Sequence, residues 1–251
     1  MSRPAPPGDR FALFLDFDGT LVDIAPTPDA VKVEPWLPAA LTSLRATLGG
    51  ALAIVTGRTV AALDEFLPGL RIDACGLHGL ERRIGGELID AEGLPDLSVQ
   101  IDALRRRFAS RPGVIVEDKR IGVALHWRLA PDAEAEASSA LAELAERLGH
   151  GYRIQDGKAV REIVPAGAGK GTGIEAAMRH PPYAGRQPAF AGDDRTDESG
   201  FVAVNALGGV SVKIGSGPTE ARHRLGTPTE FRARLRRWST SGFTVTDLPS
   251  S

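Results

Sequence analysis

The chain has 251 residues, 42% of them hydrophobic and 25% charged, with a formal net charge of −2; these values describe an ordinary globular protein and exclude bulk electrostatic attraction to nucleic acid or an anionic membrane. Its single cysteine, Cys75, excludes an internal disulfide and a thiolate metal site. No run approaches the roughly 20 apolar residues of a membrane span, and the Pro-rich opening lacks the apolar core of a signal peptide, so a cytoplasmic protein with no membrane or nucleic-acid partner is expected.

Residues 11–15 are apolar without a break, the pattern of a strand buried on both faces within a parallel sheet covered by helices. The strand runs directly into Asp16-Phe17-Asp18-Gly19-Thr20. Acids so placed lie at the carboxyl end of a strand, where open α/β sheets bind ligands, and Asp16 and Asp18 are expected close enough to share a cation. The plain alternative is an Asx turn at Asp18-Gly19. After a loop rich in Pro and Asp, Leu41, Leu44 and Leu48 mark a helix over 38–48, ended by Gly49-Gly50. A second continuously apolar strand, 51–55, exits into Thr56-Gly57-Arg58, and a helix over 60–67 follows. Strand, helix, strand, helix with right-handed crossovers predicts a doubly wound, Rossmann-like parallel sheet. Residues 73–81 read as a loop in which Gly76 and Gly79 flank His78, and 82–90 read as a hairpin turning at Gly85-Gly86.

The pattern then changes. A helix over 97–108, strands over 114–117 and 122–127, an amphipathic helix over 131–148 and a hairpin over 152–163 turning at Asp156-Gly157 form an α+β layer with its own antiparallel sheet. It is read as an inserted cap, giving core 1–94, cap 95–163 and core 164–251. The linkers at Gly93-Leu94-Pro95 and Val164-Pro165 are expected to act as hinges. Beyond them come a Gly-rich loop over 165–173 carrying Lys170 and a helix over 172–178. A strand over 187–191 exits into Gly192-Asp193-Asp194-Arg195-Thr196-Asp197-Glu198, and a strand over 209–214 and a helix over 228–238 complete the chain. The arginines at 232–237 are most simply the solvated face of that last helix.

In a parallel sheet all carboxyl ends lie on one edge, so Asp16, Asp18, Thr56, Lys170, Asp193 and Asp194 can converge although far apart in sequence. Several acids with one lysine and one hydroxyl suit a phosphoryl group beside a hard cation, and oxygen ligands with completing waters fit Mg²⁺ better than zinc.

Taken in order, Asp16-Phe17-Asp18-Gly19-Thr20, Thr56-Gly57, Lys170 and Gly192-Asp193-Asp194 resemble the four motifs of the haloacid dehalogenase-like phosphatases. The resemblance implies that Asp16 is a nucleophile forming an aspartyl phosphate and that Asp18 protonates the leaving oxygen and then activates water. It further implies that Asp16, the Asp18 carbonyl and Asp193 hold Mg²⁺, with Asp194 and Asp197 supporting those ligands. Thr56 and Lys170 would grip phosphate oxygens, beside Gly19, Thr20 and Gly57. Within that superfamily, residues 76–81, Glu117-Asp118-Lys119, His126-Trp127-Arg128, Glu162 and the closing Asp197-Glu198 resemble the trehalose-6-phosphate phosphatases. That similarity implies trehalose 6-phosphate as the substrate. Glu117, Lys119, His126, Arg128 and Glu162 would contact the sugar from the cap, and Arg58, His78 and Gly79 would complete the pocket from the core.

Rival readings remain at this level. Gly169-Lys170 imitates a nucleotide phosphate loop, but G-x-x-x-x-G-K-[ST] needs glycine and a hydroxyl where Val164 and Gly171 stand. A phosphatase for sucrose phosphate or mannosyl-phosphoglycerate, a hexose phosphomutase, and a non-catalytic sugar-phosphate sensor all share the motif order. A monomer is expected, with a dimer as the alternative.

Overall fold

The computed structural model describes residues 10–89, 96–119 and 121–248. Its strands are β1 (Phe11–Asp16), β2 (Leu52–Val55), β3 (Asp73–Gly76), β4 (Glu81–Ile84), β5 (Glu87–Ile89), β6 (Ile115–Asp118), β7 (Val123–His126), β8 (Tyr152–Gly157), β9 (Val160–Pro165), β10 (Gln187–Gly192), β11 (Val210–Ile214) and β12 (His223–Leu225). The α-helices are α1 (Leu37–Thr47), α2 (Val60–Phe66), α3 (Ser98–Arg107), α4 (Glu134–Leu148), α5 (Lys170–Ala177), α6 (Glu198–Ala206) and α7 (Pro228–Ser241). The chain divides into two compact units, one of Met1–Ile24, Val31–Asp90 and Gly169–Ser251, the other of Ala25–Ala30 and Ala91–Ala168.

The first unit is built on an eight-stranded sheet in the order β12-β11-β10-β1-β2-β3-β4-β5. Pairing is parallel from β12 to β3 and antiparallel from β3 through β5. All six residues of β1 are buried, as expected of a central strand covered on both faces. Phe14 packs with Ile174, Tyr183, Phe190 and Phe201 in one continuous apolar cluster. From β1 the chain goes to β2 and β3 on one side, and later elements extend the sheet through β10, β11 and β12 on the other. The β1–β10 boundary is therefore the topological switch point, the place where such sheets leave a crevice beyond their carboxyl ends. Register sets Asp16 beside Val55 and Leu15 beside Ala191, so Asp16, Thr56 and Asp193 all emerge at that rim.

Two expectations for this unit are corrected, and two elements are added. The segment read as a loop over 73–81 begins with β3, whose buried Asp73 is satisfied by the Tyr183 hydroxyl at 2.9 Å and the Gly85 N–H at 3.1 Å. Helix α5 starts at Lys170, two residues before the expected Thr172. Helix α6 and strand β12 had no counterpart in the sequence reading.

The second unit carries an antiparallel sheet in the order β6-β7-β9-β8. Val123, Leu125, Ile163 and Tyr152 on one sheet face share a core with Ile101 and Leu104 of α3 and Ala137, Leu141 and Leu144 of α4. The β8–β9 hairpin turns at Lys158-Ala159, not at Asp156-Gly157, because register pairs Asp156 with Arg161 and Gly157 with Val160. Arg161 donates to the Asp156 carboxylate at 2.5 Å, which commits that residue to a cross-strand pair, and Ala159 takes the positive φ of 58° instead. Val164 and Pro165, expected as a linker, are the last residues of β9 and pair with Arg153 and Tyr152. Gly93, Leu94 and Pro95 lie outside the described residues. Among the described residues no helix is long and apolar enough to cross a membrane.

Candidate active site

At the rim of the first unit, the Lys170 ammonium donates to Asp16 Oδ1 at 2.5 Å and to Asp197 Oδ1 at 2.6 Å, with all three side chains buried. Helix α5 delivers Lys170 from its first turn, and Asp197 comes from the short 3₁₀ turn Arg195–Asp197 that follows β10. That turn is closed by a capping box in which the Asp194 side chain accepts from the Asp197 backbone and the Asp197 side chain accepts from the Asp194 backbone. Asp197 Oδ2 also accepts from the Asp193 N–H, both amides lying at 2.8 Å. Burial pulls the Lys170 ammonium down, but Asp16 and Asp197 outweigh it and hold the group above the usual lysine range. Burial, together with Asp197 and Asp193, pushes the Asp16 carboxyl well above the ordinary carboxylate range against the pull of Lys170. More negative charge is gathered here than the Lys170 ammonium neutralises. This placement also removes Lys170 from any nucleotide phosphate loop, since its ammonium sits between two carboxylates.

One carboxylate oxygen each from Asp16, Asp193 and Asp197 lies within 4.8 Å of the other two. Asp197 has both oxygens committed, whereas Asp16 Oδ2 is buried without a hydrogen-bond partner. Asp193 lies against Gly19, where a Cβ would stand 2.5 Å from the carboxylate carbon and both oxygens; only glycine, at φ +89°, leaves that room. An orphaned buried carboxylate oxygen beside a second carboxylate, with oxygen donors throughout, fits a hard divalent cation. Asp16 and Asp193 are the residues that could hold it.

The Asp18 side chain goes elsewhere. Its carboxylate takes a two-point ion pair from Arg58, with Nε at 2.7 Å and Nη2 at 2.8 Å, so the two acids of the first motif do not share a cation through their side chains. Arg58 is itself held, its guanidinium carbon 4.6 Å from the Phe66 ring centre and 5.8 Å from that of Phe17.

Thr56 is buried, and its hydroxyl accepts from the Arg58 N–H at 3.1 Å. The Thr56 carbonyl accepts from the His78 N–H at 3.1 Å, the Arg58 carbonyl from Leu77 at 2.8 Å, and the His78 carbonyl from the Gly169 N–H at 2.7 Å. Leu77 and His78 both take positive φ, 47° and 55°, to make this stitch between the exit of β2 and the start of α5. The His78 ring lies where a Cβ on Gly57 would be 2.7 Å from it, and Gly79 backs directly onto the Gly173 backbone. His78 and Gly79 therefore position the segments carrying Thr56 and Lys170. Glu81 ties the same region down by accepting from the Val60 N–H at the start of α2. Thr20 is buried, and its hydroxyl has no hydrogen-bond partner.

One buried group at this rim was missed in the sequence. Lys213, on the fully buried strand β11, donates to the Asp193 carbonyl. The signal was available, since an ammonium inside a buried parallel strand demands a partner.

On the second unit, register places Glu117, Ala124, His126 and Glu162 on one face of the sheet. This is the face opposite Val123, Leu125 and Ile163, so it is not the one packed on α3 and α4. His126 Nε2 lies 2.7 Å and the Lys119 ammonium 3.0 Å from the two Glu117 oxygens. Burial alone would raise the Glu117 carboxyl, but the His126 hydrogen bond and the Lys119 charge bring it below the ordinary range. Arg128 is exposed and donates to the Lys158 carbonyl at 2.6 Å, bracing the hairpin turn.

The trehalose-phosphatase family model matches residues 14–228. A probable trehalose-phosphate phosphatase of Sinorhizobium fredii is 46% identical over 220 residues, spanning 87% of this chain and 83% of that protein. The trehalose-6-phosphate phosphatase of Escherichia coli K12 is 42% identical over 221 residues, spanning 86% and 82%. Among solved structures, a trehalose-6-phosphate phosphatase related protein superposes with a TM-score of 0.76 at 28% identity, covering 92% of this chain and 97% of that one. The C-terminal domain of C. albicans trehalose-6-phosphate phosphatase, at 23% identity and a TM-score of 0.81 over 92% of each chain, shares the fold.

Proposed function

The chain belongs to the trehalose-phosphatase family, and we propose that it hydrolyses trehalose 6-phosphate to trehalose and inorganic phosphate through an aspartyl phosphate on Asp16. The observation that carries this reading is the buried Lys170 ammonium shared by Asp16 and Asp197, beside an unpartnered Asp16 oxygen. A carboxylate can approach a dianionic phosphate only where its own charge is offset, and Lys170 supplies part of that offset.

In the first half-reaction Asp16 attacks phosphorus, the bond from phosphorus to the sugar oxygen breaks, and Asp18 gives that oxygen its proton. In the second, Asp18 takes a proton from water, whose oxygen displaces Asp16 from phosphorus. Asp18 must part from Arg58 to do either, so exchange of that ion pair accompanies turnover. Lys170 and the Thr56 hydroxyl are the groups to hold the transferring oxygens. A divalent cation, Mg²⁺ for these hard oxygen donors, would be held by Asp16, Asp193 and the Asp18 carbonyl and would neutralise charge on the phosphoryl group. Glu117, Lys119, His126 and Glu162 offer paired donors and acceptors for sugar hydroxyls, and a face of this kind discriminates against analogues whose missing hydroxyl leaves a polar group unpaired.

Phosphate release with Mg²⁺ from trehalose 6-phosphate, sucrose 6-phosphate, glucose 6-phosphate and mannosyl-phosphoglycerate tests the assignment. Trehalose 6-phosphate is expected to have the highest kcat/KM. Preference for a monosaccharide would overturn the substrate while keeping the chemistry, and no release from any of them would overturn both.

A further inference from the structure

Among the described residues three lysines are buried, Lys119, Lys170 and Lys213. The first two meet carboxylates, as burial of an ammonium requires. Lys213 donates to the carbonyl of Asp193. Its strand neighbour in β10 is Gly192, the residue just before that aspartate, so the ammonium reaches along the rim over a short span.

The peptide groups on both sides of the Asp193 Cα are thereby held. Its N–H is fixed by Asp197 Oδ2 at 2.8 Å and its carbonyl by Lys213. With both ends fixed, the direction of the Cα–Cβ bond follows, and from it the carboxylate lies against Gly19. A connected series results, from Lys213 to Asp193, to Asp197, to Lys170, to Asp16, crossing four chain segments.

We infer that Lys213 is a positioning residue of the cation site, clamping the Asp193 backbone together with Asp197 so that the Asp193 carboxylate faces the same ion as Asp16. This rests on reading Asp16 and Asp193 as cation ligands. The rival role for a buried ammonium here is simple charge balance, and the two roles differ in sign. A lysine that only balances charge repels a dication, so its removal tightens binding. A lysine that aims a ligand weakens binding when removed, by about 10–100-fold for partners of this kind.

The experiment is the dissociation constant for Mn²⁺, read from free Mn²⁺ by electron paramagnetic resonance, in the wild-type chain and in Lys213→Met, with circular dichroism to confirm the fold. Mn²⁺ binding by wild type with an affinity loss in that range for Lys213→Met is the expected result. Equal or tighter binding by the variant overturns the role of Lys213 alone, whereas absence of Mn²⁺ binding in wild type overturns the cation-site reading on which it rests. If Lys213→Met does not fold, Lys213→Arg carries the test, because it keeps the charge and displaces the donor. Weaker Mn²⁺ binding is again expected, and wild-type affinity in that variant overturns the inference.

Discussion

Replacing Lys170 by methionine removes the ammonium that Asp16 and Asp197 share and leaves their shape largely intact. In the wild type each carboxylate is within 2.6 Å of Nζ, and neither side chain has meaningful access to water. Breaking a buried pair from one side costs about 3–5 kcal/mol, because the remaining charge is stranded. Here two carboxylates are stranded, with Asp193 close by, so the upper part of that range, about 4–5 kcal/mol, is appropriate. For a chain of this size each kcal/mol moves Tm by roughly 2–4 °C, which puts the expected fall at about 8–20 °C in metal-free buffer. Mg²⁺ should then raise the Tm of Lys170→Met more than that of wild type, since a dication replaces the missing positive charge. Turnover should fall by about 10²–10³-fold, the usual effect of losing one group that stabilises transferring oxygens. Differential scanning calorimetry with and without Mg²⁺, beside phosphate release, makes the measurement. A Tm within 2–4 °C of wild type, the equivalent of about 1 kcal/mol, would show that Lys170 does not neutralise the cluster.

Asp16→Asn is expected to fold normally and to abolish phosphate release, and turnover at the wild-type rate would remove Asp16 as nucleophile. Gly19→Ala should destabilise the first unit by about 1–3 kcal/mol, because alanine is strained at φ +89° and its Cβ would displace the Asp193 carboxylate; chemical denaturation and activity together check this, and unchanged values in both would refute the close approach. Glu117 titrates below the ordinary carboxylate range in the folded state, so its stabilising contribution is present above the unfolded value of 4.5 and is lost as pH falls through the lower folded value. Glu117→Gln should accordingly cost about 1.5–3 kcal/mol near neutral pH and narrow the gap to wild type as pH is lowered through that window, followed by thermal unfolding at a series of pH values; a pH-independent gap would contradict the assignment.

Much of the core was legible because its signals are local. Uninterrupted apolar runs at 11–15 and 51–55 read as strands covered on both faces, and the strand at 187–191 was short but bounded by the same kind of polar exit. Less was legible where two local signals competed. Asp156-Gly157 is a strong turn pair, yet sheet register moved the turn two residues on, because Asp156 gains an ion pair with Arg161 only if both stay in the ladder. Residues 73–76 lack the apolar continuity of the other parallel strands, since Asp73 is buried by virtue of Tyr183, a residue 110 positions away.

By itself the order of residues determined that acids, a hydroxyl and a lysine follow buried strands or open a helix, and hence that they gather on one edge of a parallel sheet. Only the tertiary structure decided how those charges divide among partners. Asp18 is taken by Arg58 40 residues away, Asp197 by Lys170 at 27, and the Asp193 carbonyl by Lys213 at 20. The physical reason is that an ion pair is fixed by separation across neighbouring strands and by the burial around it, quantities that depend on register and packing and have no counterpart in spacing along the chain.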